Sequence, residues 1–178
     1  MKKCLVWALL FGYAVFARAE GFVHQTSHRP AKVFDANGHV IGDLQSFSGV
    51  SGVRVVVGNA ATVAQIGRAR DASGHDSATD FTWATSASAE FTSTGCSGDP
   101  IVTPVNGPRP SVTLRQGNDV TVYLAAEGPV QSFTARSLLL VMPPGCARNP
   151  VPVEVTGFPA GAKVPISRNH PEPLRIGF

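Results

Sequence analysis

The chain has 178 residues, of which 43% are hydrophobic and 15% are charged, so it has enough apolar content to bury the core of one domain. Its formal net charge of +3 comes entirely from Lys2, Lys3 and Arg18, because the rest of the chain has twelve basic and twelve acidic residues. The remaining basic residues are scattered, which argues against binding to nucleic acid or to an anionic membrane.

The first nineteen residues have the pattern of a secretory signal peptide. Lys2 and Lys3 precede an apolar stretch, Cys4–Phe16, and Ala17-Arg18-Ala19 is typical of a cleavage site. The apolar stretch is shorter than the roughly 20 residues that a membrane-spanning helix needs. We therefore expect a mature chain that begins at Glu20, is secreted or periplasmic, and has no membrane span after cleavage.

Two cysteines, Cys96 and Cys146, remain after removal of the signal peptide. An exported chain with two cysteines is expected to join them in a disulfide bond. The enclosed loop is long, and the chain-entropy estimate for such a loop is roughly 4 kcal/mol of stabilisation.

The chain shows period-two alternation rather than a helical period. Asn-Gly and Gly-Asn pairs between alternating segments predict two early hairpins, Lys32–Asp35 with His39–Gly42 and Gly52–Val57 with Thr62–Ile66. Later strands are predicted around Phe81 and Trp83, which share a face, around Val120, Val122 and Leu124, around Leu138–Met142, and around Val151, Val153 and Val155. These segments predict an all-β fold, an antiparallel β-sandwich or barrel-like structure with a single disulfide.

Some features of the predicted organisation lie outside the regular strands. Leu138–Met142 is an unbroken apolar run, which predicts a strand buried on both faces, and Pro152 predicts an edge strand. Arg68–Thr79 is polar and is predicted to be an exposed loop. We expect a β-domain over residues 20–157 and a Pro- and Gly-rich C-terminal tail over residues 158–178.

Residues 83–107 and 133–157 show an internal similarity at an offset of 50 residues. Gly95–Ile101 and Gly145–Val151 both read G-C-x-x-[DN]-P-[IV]. The shared Asx-Pro pair is typical of a turn, so the pattern predicts two equivalent turns joined by the disulfide. Ala147 occupies the position of Ser97, and the motif therefore does not require a serine.

No pattern of catalytic residues is complete. Ser97 lies in a glycine-rich stretch and leaves a small secreted serine-type hydrolase as one alternative, but neither G-x-S-x-G nor a recognisable histidine context occurs. His24, His28 and His39 could meet at a metal ion, and Asp71, Ser73, Asp76 and Asp80 could bind calcium, but neither set has the spacing of a known site. We predict no catalytic residue, no metal and no cofactor.

Lys32–Gly42, the valine-rich strand Val53–Val57 and Ser93–Pro100 together resemble small exported bacterial proteins of unknown function. The resemblance implies an exported β-protein and supplies no catalytic residue. Similar hairpin openings occur in phage fibre β-domains, which implies a trimer as a further alternative.

The predicted function is that of a non-enzymatic binding or interaction protein, and also a possible antigen, with a protein or glycan ligand. Exposed loops supply the candidate binding residues, which are Arg70, Asp71, His75, Asp76 and Arg109. The sequence leaves the oligomeric state open.

Overall fold

The computed structural model describes residues 29–103, 107–141 and 143–178, so the predicted signal peptide lies outside the described residues. The fold is all-β and antiparallel, as predicted. Its strands are β1 (Lys32–Phe34), β2 (Val40–Phe47), β3 (Val50–Val57), β4 (Ala60–Arg70), β5 (Asp76–Trp83), β6 (Ser88–Phe91), β7 (Ser111–Gln116), β8 (Asp119–Ala125), β9 (Gln131–Val141), β10 (Pro144–Gly157), β11 (Ala160–Pro165) and β12 (Leu174–Gly177). One short helix, α1 (Ile166–Asn169), lies between the last two strands.

Six strands form a closed barrel in the order β1-β12-β5-β4-β3-β2. Both predicted early hairpins are present as β1–β2 and β3–β4. Gly38 and Gly58 adopt positive φ values of 81° and 60° in their turns, a backbone conformation that glycine adopts without a steric penalty. The barrel closes through β12, which pairs with β1 on one side and with β5 on the other.

The sheet β11-β8-β7 separates two hydrophobic cores. Val120, Val122 and Leu124 are fully buried on one face of β8, where they belong to the same core as the barrel residues Val33 and Trp83. Side chains on the opposite face of this sheet join the second core, which includes Phe91. Because side chains alternate along a strand, a single strand contributes to both cores.

The third sheet has the order β10-β9-β6. The Cys96–Cys146 disulfide is present and connects the loop after β6 to the start of β10. β10 is an edge strand, and its pairing with β9 is interrupted between Arg148 and Val153, where Pro150 and Pro152 lie. Proline on an edge strand limits pairing with other chains.

Two predicted irregular segments are more ordered than their composition indicated. β4 and β5 extend into Arg68–Thr79, so that only residues 71–75 form the connecting turn. The segment predicted as a C-terminal tail forms β11, α1 and β12. Its proline and glycine content did not prevent strand formation, because Leu174 is fully buried in the barrel core and anchors β12 there.

Two further expectations differ from the structure. Leu138, Leu139 and Leu140 are half-buried rather than buried on both faces, because β9 lies in a small sheet that the rest of the fold covers only in part. The two G-C-x-x-[DN]-P segments are not equivalent turns. The segment around Cys96 is an irregular loop, whereas Gly145–Pro150 lies within β10.

Candidate binding site

The predicted binding residues at the end of β4 and the start of β5 lie close together. Arg70, Asp71, His75 and Asp76 line one polar surface depression. The Nε atom of Arg70 donates to Oδ1 of Asp76 at 2.8 Å, and Oδ1 of Asp71 accepts from the backbone of Ser73 and of His75. These side chains are largely exposed, and their polar contacts hold the turn together.

Arg109, the fifth predicted binding residue, lies elsewhere. Its guanidinium approaches the carboxylate of Glu127 at 3.4 Å, and the same carboxylate accepts from Asn59 at 2.9 Å. Hydrogen bonds from Asn59 and Arg109 hold the pKa of Glu127 below its ordinary value. Arg109 thus connects two segments of the fold and does not extend the surface around Arg70.

The turn around Asp71 repeats an earlier turn around Asp35, and the sequence analysis above did not identify this similarity. Asp35-Ala36-Asn37-Gly38-His39 and Asp71-Ala72-Ser73-Gly74-His75 both read D-A-x-G-H. In each copy the aspartate Oδ1 accepts from the backbone N–H groups two and four residues later. The histidine Nδ1 lies 3.5 Å from the aspartate Oδ2 in the first copy and 3.6 Å in the second. The repeated D-A-x-G-H pattern was the signal in the sequence from which the two similar turns could have been predicted.

The two copies differ in burial. The side chain of Asp35 is 1% exposed, whereas that of Asp71 is 59% exposed. His170 and Pro171 account for the difference: Nδ1 of His170 lies 3.7 Å from Oδ2 of Asp35, and the Pro171 carbonyl accepts from the N–H of Ala36 at 2.9 Å. The segment before β12 is therefore docked on the β1–β2 turn.

Burial raises the pKa of Asp35, but the N–H groups of His39 and Asn37, the charge of His39 and the imidazole of His170 together lower it below its ordinary value of 3.8. A carboxylate with a lowered pKa contributes stability that is fully present above its unfolded value and is lost as the pH falls through its folded value. Asp35 therefore stabilises the fold at neutral pH and ceases to do so in acid.

We expect Asp35→Asn to lower the free energy of unfolding by about 1–2 kcal/mol at neutral pH, because it removes a charged hydrogen-bond acceptor. The difference from the wild type should shrink as the pH falls below 3.8. Urea denaturation over a range of pH measures both effects. Asp71→Asn is the matched control and should change stability little, because the same turn is exposed there. Equal effects at the two positions would contradict this account.

Ser97 of the G-C-S-G-D-P stretch is held in its loop by hydrogen bonds of its backbone. The Ser97 N–H donates to Oγ of Ser93, and the Ser93 hydroxyl donates to the Ser97 carbonyl. The buried Ser137 hydroxyl accepts from the Cys96 N–H and donates to the Ser93 carbonyl. Within residues 29–103, 107–141 and 143–178, no hydrogen bond joins a serine hydroxyl to a histidine ring. The described geometry contains no serine–histidine pair of the kind that a hydrolase uses.

The aspartates considered for calcium are engaged in other contacts. Asp76 pairs with Arg70 and Asp80 with Arg175, while Asp71 holds its own turn. The described part of the chain holds no group of three or more His, Cys, Asp or Glu side chains placed to bind a metal ion. His24 and His28 lie outside the described residues.

Among the helices in the described ranges, none has both the length and the apolar character to span a membrane.

An apolar cleft lies where β6 and β9 face β7, near the start of β10. It has a volume of about 250 Å³. Its walls are mostly apolar and small side chains with a few hydroxyl groups, and they comprise Thr85, Ser86, Ala89, Thr113, Leu114, Arg115, Gly117, Leu139, Leu140, Val141, Pro144 and Gly145. This cleft, hereafter the β7–β9 cleft, was not predicted, since apolar strand residues that line a cleft have the same pattern as core residues.

Two structural features hold the walls of the β7–β9 cleft in place. The Ser86 N–H donates to the Thr113 carbonyl at 2.9 Å, and Oγ of Ser86 accepts from the Thr113 N–H at 3.1 Å. The disulfide joins Cys146, which directly follows Gly145 of the wall, to Cys96. A cleft held in this way is largely pre-formed, which is a common property of ligand sites.

Comparison of the chain with models of known protein families, with curated proteins and with solved structures found no significant match. The resemblance to small exported bacterial proteins therefore stays a prediction.

Proposed function

We propose that this protein is an exported, non-enzymatic binding protein and that the β7–β9 cleft binds its ligand. The observation that carries the proposal is the cleft itself, an apolar concave site of about 250 Å³ with few polar groups. Small-molecule sites are typically concave, mostly apolar and equipped with a small number of polar groups.

The composition of the walls favours an apolar ligand over a glycan. Leu139, Leu140 and Pro144 supply hydrocarbon surface, and none of the described residues that line the cleft is aromatic. A glycan would place hydroxyl groups against these walls, where an unpaired polar group costs free energy. Because an apolar cavity of about 150 Å³ accepts benzene, this cleft has room for a longer aliphatic chain or for a ring with substituents.

Export is part of the proposal. A disulfide is compatible with the oxidising environment outside the cell or in the periplasm, and the signal-peptide pattern of residues 1–19 agrees with it. The polar turn around Asp71 is a second exposed surface, but Arg70 and Asp76 pair with each other and Asp71 accepts hydrogen bonds within the turn, which favours the cleft as the binding site.

Two glycines provide a matched test of the cleft. Gly145 lines the cleft and precedes Cys146, whereas Gly95 precedes Cys96 and does not line it. A Cβ atom added at either position meets no neighbouring atom within 4 Å, and neither glycine has a positive φ. The backbone at both positions therefore accepts a residue with a Cβ atom without strain.

We expect N-phenyl-1-naphthylamine, an uncharged fluorescent apolar probe, to bind the wild-type protein saturably. Gly145→Phe should fill the cleft and weaken binding at least about tenfold, which is about 1.4 kcal/mol of binding free energy. Gly95→Phe should bind as the wild type does. Melting curves and the mass of the intact disulfide establish that each variant is folded. Absence of saturable binding by the wild type, or equal losses in both variants, would overturn the proposal.

A further inference from the structure

We propose that the β7–β9 cleft selects uncharged aliphatic ligands over carboxylates, and that Glu172 determines this specificity by holding Arg115 in an ion pair. The inference rests on the proposed function, because it names the ligand class of the same cleft. Arg115 is the one charged side chain among the described residues that line the cleft. Its state therefore decides which charge a ligand can carry.

The guanidinium of Arg115 is held by several contacts at once. Its Nη1 donates to Oε2 of Glu172 at 3.0 Å, and its Nη2 donates to Oε1 of Glu172 at 2.7 Å and to the Trp83 carbonyl at 3.1 Å. This is the bidentate arrangement in which arginine binds carboxylates most strongly. The two side chains are 33% and 20% exposed, so water screens the pair less than it screens a surface ion pair.

Glu172 is itself fixed in position. Its Oε1 also accepts from the Trp83 N–H at 2.6 Å. The preceding residues are anchored as well, since the His170 carbonyl accepts from Nε1 of Trp83 and the Pro171 carbonyl accepts from Ala36. The carboxylate therefore does not need to reorganise to neutralise Arg115, and its removal from the guanidinium would break several contacts.

The neutral Arg115–Glu172 pair has opposite consequences for two ligands of the same chain length, one a carboxylate and one an uncharged alcohol. A ligand carboxylate at Arg115 must displace Glu172 or be buried beside it, and like charges in a partly buried site repel each other. An alcohol of the same chain length brings no charge and needs only one hydrogen-bond partner. Arg115, Ser86 and Thr113 all line the cleft, and three of the five guanidinium N–H groups donate to Glu172 and Trp83, which leaves two as donors for a hydroxyl oxygen.

The test compares octan-1-ol with octanoate at neutral pH by displacement of N-phenyl-1-naphthylamine. We expect the wild type to bind octanol at least about tenfold more tightly than octanoate. Glu172→Gln keeps an oxygen acceptor for the Trp83 N–H but removes the charge. It should strengthen octanoate binding about tenfold and leave octanol within about twofold of the wild type.

Two further variants make the result specific to the ion pair. Glu127→Gln removes a carboxylate that pairs with Arg109 outside the cleft and should change neither affinity. Arg115→Met leaves Glu172 without its cation and should weaken octanoate binding below that of the wild type, which tests the inference even if Glu172→Gln does not fold.

The outcomes separate the inference from the proposed function. If the probe does not bind the wild type, the proposed function itself fails. If the probe binds but the wild type does not distinguish octanol from octanoate, or Glu172→Gln folds and leaves the preference unchanged, the cleft binds ligands but Glu172 does not set its specificity.

Discussion

Trp83→Ala should lower the free energy of unfolding by about 4 kcal/mol, the largest effect we expect for a single substitution in this chain. Trp83 is 2% exposed and lies in the core that the barrel shares with β8. Its removal leaves a cavity between strands that close the barrel. It also removes the indole N–H that donates to the His170 carbonyl at 3.1 Å.

Equilibrium denaturation in urea measures the loss, and two control variants separate its causes. Trp83→Phe keeps most of the apolar volume and loses the N–H donor, so it should cost about 1–2 kcal/mol. Val56→Ala removes an apolar side chain that is 55% exposed on a strand of the same barrel and should be nearly neutral. A decrease in the free energy of unfolding below about 1 kcal/mol for Trp83→Ala would show that Trp83 does not stabilise the core as a buried side chain.

Removal of the disulfide should have a similar effect. The double variant Cys96→Ala with Cys146→Ala frees a loop with a sequence separation of 50 residues. The chain-entropy relation gives roughly 4 kcal/mol of lost stability for a loop of this length. The double variant avoids a free thiol, which the single variants would leave.

Denaturation of the double variant under non-reducing conditions measures this effect, and hydrogen exchange locates it. We expect faster amide hydrogen exchange in β10. This strand pairs with β9, and the disulfide at Cys146 connects its start to the loop after β6. Ser97→Ala is the matched control, because it changes the residue next to Cys96 and leaves the backbone contacts of that loop intact. Unchanged stability of the double variant would contradict a stabilising role for the bond.

Local pattern was sufficient for the elements whose residues determine their own conformation. Positive φ at Gly38 and Gly58 is a property of the turn itself, and the alternation of Val120, Val122 and Leu124 is a property of one strand. The pairing of Cys96 with Cys146 followed from their number and from the predicted export. The turns and the alternation were predicted correctly because they do not depend on what packs against them, whereas the disulfide was predicted because two cysteines remained to pair.

Local pattern was insufficient where the outcome depends on distant partners. The three leucines of β9 form an apolar run like that of a fully buried strand, yet they are half-buried because the rest of the fold covers their sheet only in part, and Leu139 and Leu140 border the β7–β9 cleft. Glu172 lies in a segment predicted as a tail, and its role depends on Arg115, which is 57 residues away in the chain. No local period encodes such a contact.

The repeated D-A-x-G-H turn separates what the sequence by itself determined from what only the tertiary structure decided. The same residues at Asp35 and at Asp71 produce the same hydrogen bonds within the turn, because the aspartate, the glycine and the backbone are all local. The sequence thus determined the turn in both places. Only the tertiary structure brings His170 and Pro171 onto the first copy, which buries Asp35 and leaves Asp71 in solvent. Burial, which raises the pKa of Asp35, depends on a segment about 135 residues away that the turn does not encode, whereas the N–H groups of His39 and Asn37, which lower that pKa, belong to the turn itself.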